Sequence, residues 1–176
     1  MARNHVAAAA LAVLIEGLRG AGPAMAEVPL TQGCIDYVAG LYGLPVRALD
    51  GLLAAEGGRV GRVTPNTNGS QDIGPFQVNS SWVHFFTSAW RRSSDAETTL
   101  LLRDNGCANA LAAAAIFRIA LDQAHGNVGA AVGYYNSPHN AALAARYRRH
   151  FLDAFRAAAG RGGRFAVVPD TPKETP

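Results

Sequence analysis

Only two cysteines and one lysine occur among the 176 residues, and charged side chains make up just 16% of the chain. No run of five basic residues exists, and the net charge is +3. That balance is too small for a chain whose task is to hold nucleic acid. No uncharged apolar stretch reaches 18 residues, so no ordinary membrane span is expected. H-E-x-x-H, C-x-x-C and clusters of His and Cys are missing, so no metal site is expected. The phosphate-cradling G-x-x-x-x-G-K-[ST] and G-x-G-x-x-G patterns are missing too, as is the G-x-S-x-G nucleophile elbow. No cofactor is expected. What is present, 49% hydrophobic and 8% aromatic, is the balance of a globular chain and not of a disordered one.

The first 26 residues read as an export address. Arg3 supplies a positive start, Val6 to Ile15 is an apolar run, and Ala24-Met25-Ala26 is an A-x-A cleavage signal. The alternative is a buried N-terminal helix, since Glu16 and Arg19 charge the stretch before the cleavage site. Export leaves a domain over 27–159 and places it in the periplasm or outside the cell, with no stable membrane span once the leader is gone. A single domain of this size can bury a sizeable core. In an oxidising compartment Cys34 and Cys107 are expected to form one disulfide, with two buried free thiols as the alternative. From Gly160 to Pro176, Gly, Pro and polar residues dominate, which predicts a flexible tail.

Between these ends the pattern is helical. Thr31 caps a predicted helix with Cys34, Ile35, Val38, Leu41 and Tyr42 on its apolar stripe, and Gly43 ends it. A second helix follows Pro45, carries Val46, Leu49, Leu52 and Leu53, and stops at Gly57-Gly58. Residues 59–72 are turn-rich, with Asn68-Gly69-Ser70 read as a tight turn. Residues 73–80 hold a short irregular strand at most, with Pro75 confining it to an edge or bend. Ser94 to Glu97 is a capping box. Further helices are expected over Cys107–His125, Val128–Tyr135 and Ala141–Ala158. The last is amphipathic, with Leu143, Tyr147, Phe151, Leu152 and Phe155 on one side and Arg146, Arg149, Asp153 and Arg156 on the other.

Glu56 stands out because it lies three after Leu53, four after Leu52 and seven after Leu49. It therefore continues the buried stripe. It also ends its helix, where the macrodipole opposes negative charge. Burial and dipole both raise its pKa, towards a carboxyl that holds a proton near neutral pH and acts as a general acid. The alternative is a Glu that tilts into solvent at a frayed end.

Four segments, in this order, resemble the soluble lytic transglycosylase family of the lysozyme superfamily. They are LLAAEGG (Leu52 to Gly58), NTNGSQDIGPFQVNSSW (Asn66 to Trp82), NGCANALAAAAIF (Asn105 to Phe117) and YYN (Tyr134 to Asn136). The resemblance covers residues 33–155 and is nearest to the secretion- and conjugation-associated branch. It implies a mainly α, lysozyme-like single domain, α+β with a minimal β element. The implied substrate is the glycan strand of peptidoglycan, and the implied partners are components of a secretion or conjugation machine. The implied reaction cleaves the MurNAc-GlcNAc bond without water and leaves a 1,6-anhydro end. Carried over by position, Glu56 is the acid/base and Gln77 lines the cleft beside Phe76. Tyr135 and Asn136 lie near Glu56, with the Tyr135 hydroxyl orienting it or contacting sugar. Trp82, Phe85, Phe86 and Trp90 either stack on sugars or fill the core.

Three departures bear on substrate fit. Gly57 stands where the family usually has Ser, Gly74-Pro75-Phe76-Gln77 where it has Gly-Leu-Met-Gln, and Tyr134 where Ala is frequent. A hydrolytic muramidase on the same fold needs a base for water, and Asp72 is the nearby candidate, bracing of the turn being its other reading. A non-catalytic wall-binding assembly protein is a further alternative, and a helical secreted domain of another kind is the plainest one.

Overall fold

A computed structural model describes residues 26–160. Of the expected leader and tail, residues 1–25 and 161–176 lie outside the described residues.

The described chain is mainly helical with one small antiparallel sheet. Helices α1 (Gln32–Tyr42) and α2 (Val46–Glu56) form a corner at Gly43, whose φ of 59° ends α1 in the left-handed region. Thr31 caps α1 by accepting from the Cys34 N–H at 3.2 Å. Three strands follow: β1 (Val63–Pro65), β2 (Gln71–Ile73) and β3 (Val78–Asn79), in that spatial order. Val63 pairs with Ile73 and Thr64 with Asp72, while Asp72 pairs on its other side with Asn79. The segment expected to be turn-rich therefore also holds β1 and the start of β2. Pro65 sits on edge strand β1, where a missing donor is tolerated, and Pro75 lies in the turn after β2. The Asn68-Gly69-Ser70 turn forms as expected, with the Asn68 Oδ1 accepting from the Ser70 N–H at 3.1 Å.

The remaining helices are α3 (Val83–Ala89), α4 (Asp95–Asp104), α5 (Gly106–Gln123), α6 (Val128–Asn136) and α7 (Ala141–Gly160). A single 3-10 turn over Ser80–Trp82 leads into α3. Ser94 accepts from the Glu97 N–H at 3.1 Å, but the Glu97 carboxylate turns to Ser93 and Arg92, so the capping box is half formed.

The Ala-rich α5 runs through the core, packed by α1, α4 and α6. Its alanines, Ala110 and Ala112 to Ala114, are fully buried and let those neighbours approach closely. The last helix α7 lies across α2 and α6. Its buried stripe is Ala144, Tyr147 and Ala158, with Phe151 and Phe155 half-buried between them. Leu143 and Leu152 are exposed, correcting the expected face, and Leu41 on α1 is 58% exposed for the same reason. Each keeps a 3–4 spacing to one contacting residue but sits at the edge of its stripe, where the adjacent Tyr42, Ala144 or Phe151 takes the packed position.

Cys34 on α1 and Cys107 on α5 come to disulfide distance, Cα to Cα 5.6 Å. The closed loop spans 73 positions, for which chain entropy gives an upper figure of about 4 kcal/mol. The unfolded chain is expected to show no free thiol until a reductant is added, and then two. Cys34→Ser is expected to lower the melting temperature by several degrees or more. Two free thiols before reduction would remove the bond from the account.

Candidate active site

Helix α2 ends at Glu56 because Gly57 takes the left-handed conformation, φ 59°, and returns its N–H to the Leu53 carbonyl at 3.1 Å. A serine at position 57 would be strained in that conformation. Next to it, a Cβ on Gly58 would overlap the carbonyl oxygens of Gly74 and Pro75. The two glycines thus bring the turn after β2 directly against the end of α2, and they set Glu56 on the wall of a groove.

The groove has a volume of about 540 Å³. Glu56, Gln77, Tyr135 and Asn136 all line it, as do Asp72, Trp82 and Tyr134. Most of the remaining polar lining is carboxamide and hydroxyl: Asn66, Asn68, Asn79, Gln123, Ser70 and Ser81. One apolar side is made by Ile116, Ile119 and Ala120 of α5. Among the described residues no group of three His, Cys, Asp or Glu side chains is placed to hold a metal ion.

Burial lifts the Glu56 pKa from 4.5 to about 7. The Tyr147 hydroxyl donates to Glu56 Oε1 and pulls the other way, while the charge on Asp72 adds to the rise. Glu56 is therefore shared between acid and carboxylate at neutral pH. Desolvation and the nearby Glu56 hold the Tyr147 phenol far above its usual range, so it stays a donor. Tyr147→Phe removes the bond that favours the carboxylate. A ¹³C-carboxyl NMR titration is expected to show the Glu56 pKa above about 7 in that variant. An unchanged or lower value would dissociate Tyr147 from the carboxyl.

Tyr147 was expected as a member of the apolar stripe, and it is one, but it also supplies the hydroxyl on Glu56. The expected hydroxyl, that of Tyr135, donates instead to the Phe76 carbonyl at 3.2 Å. Burial, with Glu56 and Asp72 nearby, pushes its pKa well up. Phe76 is 0% exposed, so its ring packs in the core and offers no face to a ligand. Pro75 and Gly74 are buried with it, which turns the Gly74 to Gln77 segment inward.

Gln77 reaches the groove with φ 46°, a strained value for a residue with a Cβ. Its Nε2 donates to the Gly74 carbonyl at 2.8 Å, and its Oε1 accepts from the Thr64 hydroxyl at 2.8 Å. The carboxamide thus ties β1 to the turn. Asp72 lies on β2, where the Asn79 Nδ2 donates to its Oδ1 at 2.8 Å. Asn79 also donates to Ser70 Oγ at 3.0 Å, and Ser70 Oγ donates to Asn68 Oδ1 at 2.8 Å. The polar side of the groove is therefore one linked set of short side chains.

Asn109, on α5, was not singled out in the sequence. It is 0% exposed. Its Oδ1 accepts from the Phe76 N–H at 2.8 Å, and its Nδ2 donates to the carbonyls of Ile73 and Leu102 at 2.8 and 3.0 Å. A polar residue inside an Ala-rich apolar helix was the available signal.

No protein-family model matches the chain, and no curated protein or solved structure matches it.

Proposed function

We propose that this chain is an exported peptidoglycan lytic transglycosylase with a lysozyme-like fold. The observation that carries the reading is Glu56, a single carboxyl poised between acid and base at neutral pH on the wall of a groove rich in carboxamides, hydroxyls and aromatic rings. Such a lining suits a glycan bearing N-acetyl groups, whose amides and hydroxyls need partners when water is displaced.

The reaction needs one group that first gives and then takes a proton. Protonated Glu56 donates to the glycosidic oxygen, and the bond from that oxygen to the muramoyl C1 breaks. The N-acetyl oxygen of the same sugar stabilises the cation at C1, the substrate-assisted exception to the two-carboxylate pattern. The Glu56 carboxylate then removes the proton from the C6 hydroxyl, and the new O6–C1 bond closes the anhydro ring. Tyr147 steadies the carboxylate through this exchange. Local opening of the wall for a secretion or conjugation apparatus is the role that the motif order supports.

A hydrolytic muramidase is the second reading, favoured by Asp72, which lines the same groove and acts on Glu56 through its charge. The hydrogen bond from Asn79 to Asp72 favours bracing of the strand pair over activation of water. Incubation with isolated sacculi, followed by mass spectrometry of the released muropeptides, separates the two. Anhydro-ended products, lighter by one water, are expected. Reducing-end products would establish the hydrolase, and binding to sacculi without products would establish a wall-binding protein.

A further inference from the structure

The four aromatic residues between positions 82 and 90 do not share one fate. Phe86 is 2% exposed, and its ring meets that of the half-buried Trp90 at 4.7 Å with a tilt of 32°. Trp82 lines the groove that holds Glu56. Phe85 lies outside that lining and remains 49% exposed. Its ring meets Trp82 edge to face at 5.8 Å and 82°, and meets Phe86 at 5.2 Å and 78°. Two perpendicular contacts fix it, so this is a held ring and not a loose surface side chain.

We propose that Trp82 and Phe85 form an aromatic step that carries a glycan strand from the groove over its rim, so that the site selects oligomeric glycan over a free disaccharide. The proposal rests on the glycan reading of the groove. Pyranose rings present apolar C–H faces, and a fixed aromatic face accepts them with little loss of side-chain freedom. The step is continuous with the groove through the Trp82 contact. The neighbours of Phe85 on the surface, Ser81, His84 and Ser88, are exposed and polar. A lone ring with a polar surround is far below the ~1,000 Å² that a stable protein partner covers, which leaves a narrow strand as the occupant that fits.

The test uses the exported chain and β-1,4 oligomers of N-acetylglucosamine with two and six sugars. Only two tryptophans exist, so fluorescence reads Trp82 against a Trp82→Phe control that leaves Trp90. The hexamer is expected to change the emission of the parent at lower concentration than the dimer does. Phe85→Ala is expected to weaken hexamer binding by roughly 5–20-fold and leave dimer binding unchanged. Phe85→Trp, which keeps an aromatic face, is expected to restore the hexamer affinity. Equal hexamer affinity in the parent and in Phe85→Ala, with melting temperatures alike, overturns the aromatic step and leaves the glycan reading standing. No response to either oligomer in the parent overturns both.

Discussion

Glu56→Gln is expected to fold, to melt higher than the parent above pH 7, and to release no product from sacculi. The loss of activity follows from the two roles proposed for it, since an amide neither donates the first proton nor takes the second. Removal of a general acid costs about 10²–10⁴-fold, and in the proposed reaction one residue serves both steps. The gain in stability follows from linkage. The carboxyl titrates near 4.5 when exposed and at about 7 in the fold. Between those values the folded chain binds more protons than the unfolded one, so its stability falls as pH rises. Below the lower value the charge is absent from both states and nothing is lost. Above the upper value the folded chain carries a buried charge at a cost on the order of 3 kcal/mol. Glutamine removes that charge and still accepts from Tyr147. At about 2–4 °C per kcal/mol for a chain of this size, the variant should melt roughly 5–10 °C higher at pH 8. At pH 4 the two proteins should melt together. Full cleavage by the variant would sink the assignment of the acid. Equal melting at pH 8 would mean that Glu56 is hydrated in solution.

Most of the helices were legible because their apolar spacing persists for about two turns or more. Thr31, Gly43, Gly57 and Ser94 marked ends that the backbone uses. A short strand was expected within 73–80, where β3 lies, but β1 and β2 were not legible. Three residues in each are too few for a period of two to emerge. Helix α3 was hidden for a different reason: the aromatics at 82, 85, 86 and 90 read mostly as core, with no helix expected around them, and the fold buries Phe86 but leaves Phe85 exposed. Glu56 could be picked from one helix because its own neighbours made it expensive. Tyr147 could not, since it is 91 positions away and its hydroxyl matters only once α7 crosses α2. Phe76 misled because a position in a motif carries no information about which way the backbone turns. Gly74, at φ 72°, and the carbonyls packed on Gly58 decide that, and they send the ring inward.

Asn109→Leu is expected to be the most damaging single change outside the groove. The two side chains are close in volume, so packing alone would tolerate the exchange. What fails is pairing. Asn109 is the partner for the Phe76 N–H and for the carbonyls of Ile73 and Leu102, and its own side chain is shut off from water. Leucine strands all three backbone groups, each at about 1–3 kcal/mol, for a total on the order of 3–9 kcal/mol. That is a large part of the ~5–15 kcal/mol that holds a domain of this kind. The melting temperature should fall by roughly 10–20 °C. Asn109→Asp should not rescue it, because a carboxylate keeps the acceptor for Phe76 but turns its charge on the Ile73 and Leu102 carbonyls. The damage should also have a direction. Hydrogen exchange below the melting transition is expected to accelerate first at the Phe76 amide and its neighbours in the turn, while amides in the middle of α7 keep their protection. Uniform acceleration across the molecule, or a melting temperature within 3 °C of the parent, would show that the turn is held in place by Gly58 and Gln77 without Asn109.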